Sequence, residues 1–373
     1  MREAIFLSSA EVWRRGHGLS HPLKPERLQR THELLAEYGA LLLPNVRVVP
    51  PRLASEPELA LFHEVEYIAA VRALSQEKAT LAGNRAGGRY GFGPGDNPVF
   101  PGMYDSERLK VGSALQGAEL LVDGAADVVF SYSGGLHHGG SNRASGFCVF
   151  NDAAVAIHWL LAQELRVAYV DIDVHHGDGV QKAFYNSDQV LTISLHQDGQ
   201  TLFPGTGFVS ELGAAAGAGY SVNVPLPPLI NDESYLWAFE QIVPPLLSRF
   251  AADIVVTQLG VDTHFLDPLA NLQLTTVGHV ALFRILADLA PRWLALGGGG
   301  YDISVVPRSW SLAFGIMAGV ELPDELPIAY RSRYGGAYLR DQETIRLEPA
   351  MSRQIRGRVE SVVEKVRQVH HIA

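Results

Sequence analysis

Short apolar runs rich in β-branched residues recur along the chain at 3–8, 127–131, 166–172, 189–195, 221–225, 253–259 and 292–297, and each reads as a strand. Between most of them apolar positions return at helical spacing, over 106–122, 151–163, 233–249 and 276–289. This alternation predicts an α/β fold with a mostly parallel central sheet and helices on both faces. Asn151-Asp152 and Asn231-Asp232-Glu233 stand at two helix starts, where side-chain oxygens can cap free amides. A last stripe of Ile355, Val359, Val362, Val363, Val366 and Val369, set among Arg, Glu and Lys, predicts an amphipathic C-terminal helix docked on the body or on a partner. Docking on the body is the simpler expectation. His370-His371, just beyond, is expected to be a frayed tail.

Composition narrows the picture. No internal repeat, low-complexity tract or Pro/Ser linker divides the 373 residues, so 1–373 is expected to form a single domain, with 325–373 a C-terminal extension ending in that helix. Hydrophobic content of 47% against 19% charged residues is ample for a large core. A formal charge of −10 and the lack of a long basic run argue against a nucleic-acid partner and suit a cationic substrate or product. No apolar run approaches membrane-spanning length, and Ala4-Ile5-Phe6-Leu7 reads as a first strand instead of a signal segment, so no membrane partner is expected. The single cysteine, Cys148, excludes an internal disulfide and a cysteine-based zinc site, and fits a cytoplasmic protein. With no base or cation flanking it, Cys148 reads as a small buried hydrophobe. The glycine- and proline-rich stretch 82–102 is expected to be a loop on an active-site rim.

The chemistry gathers after the strands. Asp171, Asp173, His175, His176 and Asp178 crowd together in YVDIDVHHGDG. Carboxylates that close repel one another unless a cation or hydrogen-bond donors intervene, and a divalent ion is the most economical counter-charge. Asp173 and His175 are two apart, so an extended stretch would turn both to one side and Val174 to the other. Asp262, after the run 253–259, is a plausible third ligand, and an Asp-His-Asp set leaves a coordination position open, as catalytic sites do. Two carboxylates leave such a metal–water pair less acidic than three histidines would, so a nearby base is needed, and His137 and His138 can supply it. Tyr301 follows the glycines 297–300, which lack the Lys-Ser/Thr of a phosphate-binding loop and more simply let backbone approach a substrate. A lone His or Asp at a strand end is ordinarily a cap or a loop residue; the argument rests on four strand ends delivering such groups at once. Phe147 and Phe203, in glycine-flanked loops, either pack beneath those loops or grip a linear aliphatic chain.

With these residues assembled, the chain resembles the histone deacetylase superfamily, of arginase/deacetylase fold. HPLKPERL at 21–28, GGLHHG at 134–139, SGFCVFND at 145–152, YVDIDVHHGDGVQ at 169–181, SLH at 194–196, FPGTG at 203–207, YSVNVPL at 220–226, QLGVDTHFLDPL at 258–269 and GGGGYD at 297–302 follow its signature segments in order over roughly residues 1–320. DNPVFPGMYD at 96–105, THFLDPLANL and GGYDISVVPRSW look most like the bacterial acetoin-utilisation deacetylases. The resemblance implies a zinc-dependent amide hydrolase that takes acetyl groups from lysine-like amines, with the zinc, or alternatively ferrous iron, on Asp173, His175 and Asp262. It implies that His137 and His138 transfer protons, that Asp171 and Asp178 stand behind them, and that Tyr301 donates to the acetyl oxygen. Gly146, Phe147, Phe203 and Gly299 would line the acyl-lysine tunnel, Asp96 would hold substrate amides at its rim, and Arg27 would border an inner cavity for acetate. Potassium is implied near Asp171, Asp173, His175, Ser194 and Leu195, and again near Phe184, Ser187, Val190 and Tyr220. The rim around Asp96 departs from the eukaryotic pattern, with Pro94-Gly95 before it and Asn97-Pro98 after it, and His264 stands where many eukaryotic members carry another residue.

Three other functions fit parts of the pattern. An acetylpolyamine deacetylase would use the same chemistry on a cationic small molecule. An arginase-like ureohydrolase would need further carboxylates bridging a second metal, where this chain has His137 and His138. A non-catalytic acetyl-lysine reader would have no use for the joint set of ligands, histidine pair and Tyr301.

Overall fold

The structure is a computed structural model that describes residues 2–18, 20–76, 87–343 and 345–372. Its centre is one sheet of eight strands: β1 (Ala4–Leu7), β2 (Val46–Val49), β3 (Val128–Ser131), β4 (Val167–Asp171), β5 (Val190–Gln197), β6 (Ser221–Leu226), β7 (Ile254–Gln258) and β8 (Trp293–Leu296). Their spatial order is β2-β1-β3-β8-β7-β4-β5-β6, and every pairing is parallel.

Seven strands coincide with the apolar runs of the sequence, because a parallel strand covered on both faces is apolar throughout. The eighth, β2, was not anticipated. Only Val46 of its four residues is buried, while Arg47 and Val48 are exposed, as suits an edge strand, so no continuous apolar run announces it.

Side-chain alternation sends Phe6, Phe130, Val170 and Trp293 to one face and Ile5, Val129, Tyr169 and Leu294 to the other. The first face is covered by α1 (Glu26–Glu37), and the second by α3 (Met103–Val122), α4 (Asp152–Leu161) and α5 (Asp178–Phe184); α2 (Val65–Gln76) packs outside α3. The first face is completed by α6 (Asp232–Phe250), α7 (Thr276–Leu289), α8 (Val306–Met317) and α10 (Pro349–Val369), with α9 (Ile328–Tyr334) beside α1. The Asn151 and Asn231 carboxamide oxygens cap α4 and α6 by accepting from the Ala154 and Ser234 amides at 2.9 and 3.2 Å.

The C-terminal stripe docks on the body: Ile355, Val359, Val363 and Val366 are buried where α10 lies against α6 and β6, and Val369 is exposed. The tail beyond differs from expectation. His370 is 3% exposed, its Nδ1 lies 3.3 Å from the Gly219 carbonyl, and Arg249 donates to its carbonyl at 2.8 Å. A terminal His-His pair carries no sequence signal for such docking, since the partners come from residues more than a hundred positions away. Phe239 on α6 is fully buried in the larger core. Phe239→Ala should therefore cost about 3–5 kcal/mol, read as a lower urea midpoint with an unchanged slope.

Candidate active site

The four strand ends singled out in the sequence belong to adjacent strands, β3-β8-β7-β4. Their registers align Ser131 with Leu296, Leu296 with Gln258, and Gln258 with Asp171. The four following loops therefore leave the sheet at one level and share one crevice, as parallel sheets allow at their carboxyl edge.

Residues 173–175 turn in a bend instead of staying extended, yet Asp173 and His175 still meet, with His175 Nδ1 3.0 Å from Asp173 Oδ1. Amide donation from Asp173 to Asp171 Oδ1 at 3.1 Å and from His175 to Asp173 Oδ1 at 3.0 Å folds the stretch back on itself. Val174 points into the core, and its amide donates to Asp262 Oδ1 at 2.8 Å. Asp262 Oδ2 lies 3.1 Å from the same His175 Nδ1. One ligand atom from each of Asp173, His175 and Asp262 lies within 4.8 Å of the others, and all three residues are buried. Burial and the neighbouring Asp173 push Asp262 up to about 6. His175 loses by burial but gains more from its two carboxylates, which hold it at about 10. Two oxygens and one imidazole nitrogen around a point that attracts positive charge fit a divalent cation of the zinc or ferrous type.

Beside this cluster stand the two histidines. His137 Nδ1 donates to Asp171 Oδ2 at 2.8 Å, and His138 Nδ1 donates to Asp178 Oδ1 at 2.9 Å. Both Nε2 atoms then face each other at 3.0 Å, which requires a single proton between them. Burial opposes charge on His137, but Asp171 and Asp173 outweigh it and lift the group to about 9; burial and the neighbouring His137 lower His138 to about 3. The pair thus holds one proton and can pass it on. Tyr169 donates to Asp171 Oδ2 and Lys182 to Asp178 Oδ2, at 2.8 and 2.7 Å, so each supporting carboxylate is itself anchored.

Tyr301 completes the wall, its ring centroid 6.5 Å from that of His175 and 5.6 Å from that of Phe147. Burial, with Asp262 and Asp173 nearby, pushes its hydroxyl well above the usual range, so it stays a proton donor. Gly299 donates its amide to Asp173 Oδ2 at 2.7 Å, and a side chain there would collide with Asp262. Gly146 has φ of 50°, and a Cβ would strike the His138 ring. Phe203 stands across that ring, centroids 5.1 Å apart, and is 43% exposed. Arg27 is buried beneath, donating to the Gly298 and Gly300 carbonyls at 2.7 and 3.1 Å.

Asp96 lies at the mouth with its carboxylate exposed, and its carbonyl accepts from His21 Nε2 at 3.1 Å. Of the loop expected over 82–102, residues 82–86 lie outside the described residues; Asp96 in the remainder lines a cavity of about 370 Å³ together with Gly146 and Phe203. Ser194 pairs with Asp171 across β5 and β4, next to Leu195. Phe184, Ser187, Val190 and Tyr220 sit at the opposite, amino-terminal edge of the sheet, where the Ser187 amide donates to Phe184 at 2.9 Å and Tyr220 accepts from the Thr192 amide at 2.9 Å. His176 turns away from the cluster toward Thr206 and Gln181, at 2.8 and 3.0 Å. His264 likewise faces Asp341 at 2.8 Å and braces its own loop. Cys148 is buried, and burial pushes its thiol up.

Three polar supports had no reading in the sequence as parts of the site. Gln258 donates to Asp173 Oδ2 at 2.6 Å and to the Gly135 carbonyl at 3.2 Å while accepting from Gly260, which ties three of the loops together. Asp267 accepts the Tyr301 amide at 2.8 Å, and burial together with Asp262 pushes it up to about 8. Asp152 accepts from the Gly135 and Leu136 amides at 2.9 and 2.8 Å and so fixes the turn that presents His137. Gln258 is the one available signal, a polar side chain ending an apolar run.

A model of the histone deacetylase domain matches residues 21–317. The chain belongs to the histone deacetylase family. This family member is 40% identical to the acetoin utilization protein AcuC of Bacillus subtilis (strain 168), over 88% of its own length and 85% of that protein's. It is 36% identical to the histone deacetylase RPD3 of Saccharomyces cerevisiae, with 90% of this chain and 77% of the relative covered. A crystal structure of a histone deacetylase homologue complexed with SAHA superposes with a TM-score of 0.86 at 30% identity, covering 98% of this chain and 99% of the other. The homologue from Aquifex aeolicus gives 0.88 at 29% identity over 98% and 100%. The arginase/deacetylase fold expected from the sequence is therefore the fold observed, and the acetoin-utilisation branch is among its near relatives.

In this member of the histone deacetylase family, Asp152→Ala strands two buried amides. It should cost about 2–4 kcal/mol, seen as a lower unfolding midpoint, with activity falling as the His137 turn loosens.

Proposed function

We propose that this chain hydrolyses the acetyl amide of N-ε-acetyl-lysine in proteins or peptides, releasing acetate and the free amine. The observation that carries the reading is the buried oxygen-nitrogen-oxygen cluster lying directly beside a histidine pair that shares one proton. Asp173, His175 and Asp262 would hold zinc, or ferrous iron, which supplies Lewis acidity toward an amide carbonyl when bound. His137 and His138, held by Asp171 and Asp178, take a proton from the attacking water and return it to the departing amine. The Tyr301 hydroxyl donates to the acetyl oxygen as charge develops there. Phe147, Phe203, Gly146 and Gly299 grip the aliphatic chain, Asp96 holds substrate amides at the mouth, and Arg27 borders the path that acetate takes out. The reading extends to potassium at Asp171, Asp173, His175, Ser194 and Leu195, and at Phe184, Ser187, Val190 and Tyr220. It treats 1–373 as one catalytic unit working in the cytoplasm; no helix among the described residues is long and apolar enough to cross a membrane.

The net charge of −10 favours a second reading, deacetylation of acetylated polyamines. Turnover of an acetyl-lysine peptide against acetylated putrescine, with hydroxamate sensitivity measured alongside, separates the two. Faster release from the peptide supports the first reading, and release from neither ends both. Tyr301→Phe should lower turnover by on the order of one hundred-fold while metal content stays that of the parent; unaltered turnover removes Tyr301 from the chemistry. Asp262→Asn should weaken metal retention, visible as substoichiometric metal in the purified protein.

A further inference from the structure

Acetyl-lysine is uncharged, so the charge at the mouth of the site acts on whatever flanks it. A cavity of about 460 Å³ begins at His138 and Phe203 and has Arg143 and Lys182 among its lining residues. A second, of about 370 Å³, shares Arg143, Ser145 and Phe203 and reaches Asp96. Arg143 thus stands where the two meet, beside the ring that would close over the acyl chain. It is exposed, and no carboxylate lies within ion-pair distance of it among the described residues. The Lys182 side chain is 66% exposed and pairs with Asp178, the only carboxylate among the described residues lining the first cavity, which is itself buried against His138. The groove formed by the first cavity therefore keeps one surplus positive charge on a chain whose total is −10, while the Asp96 carboxylate lies in the second cavity alone.

We propose that this groove selects acetyl-lysine segments carrying an aspartate or glutamate beside the modified lysine. The inference rests on the deacetylase reading and names its substrate class. Exposed pairs are individually weak, but a groove that attracts one sign and repels the other discriminates by both effects. The free ammonium of an acetylated polyamine meets repulsion at the same place.

The test is surface plasmon resonance on the immobilised native chain, with acetyl-lysine peptides flanked on either side by Glu, Ala or Lys. Glu peptides should bind roughly 5–10-fold more tightly than Lys peptides at low ionic strength. The gap should narrow in high salt. R143E should reverse the order and R143A should shrink it. Equal affinities, an order untouched by R143E, or no peptide binding at all overturns the proposal. Acetate release is measured on the same preparation: a Glu preference without any release sustains the groove and sinks the deacetylase reading instead.

Discussion

Two carboxylates, Asp173 and Asp262, are buried against one imidazole nitrogen, and most of the surrounding architecture answers the electrostatic cost of that arrangement. Isolated charges in a protein interior cost several kcal/mol each unless paired and hydrogen-bonded. Here the amides of Val174, His175 and Gly299 and the side-chain amide of Gln258 all point their N–H groups at the two aspartates. Those donors come from three different strand ends, so the loops are locked together by the same groups that make the carboxylates tolerable. Neutral donors still leave a surplus of negative charge at the centre, which is what makes the cluster a seat for a divalent cation.

The sheet is the device that brings these loops together. Because β8 and β7 lie between β3 and β4, residues near 137, 173, 262 and 299 become neighbours although they are spread over more than 150 positions. Parallel pairing in register puts the last residue of each strand at one height. Helices bury both faces, so the interior below the crevice is dry and the fields of its few charged groups are little screened.

The histidine pair shows how tertiary contacts set chemistry that residue type alone leaves open. Each imidazole has its Nδ1 committed to a carboxylate, so the two Nε2 atoms are left to compete for one proton. The asymmetry between them follows from surroundings: His137 has two aspartates near it, whereas His138 has a single aspartate already shared with Lys182. Asp152, which the sequence presents as part of a helix start, belongs to this system because it holds the turn carrying both rings.

Apolar runs of strand length, helical spacing between them and acid-imidazole clusters after them were all readable in order along the chain, because burial on both faces of a parallel sheet and metal ligation each demand particular residue types at local spacing. The sequence by itself thereby determined the fold class, seven of the eight strands, the three candidate ligands and the histidine pair. It could not reveal β2, whose exposed Arg47 and Val48 break the apolar signature, nor the docking of His370, nor Gln258, Asp267 and Asp152 as supports. Nor could it show that Arg143 and Lys182 share one groove. Those were decided only by the tertiary structure, since a hydrogen bond or a local charge balance depends on which distant segments the strand order makes adjacent, and no spacing along the chain encodes that distance.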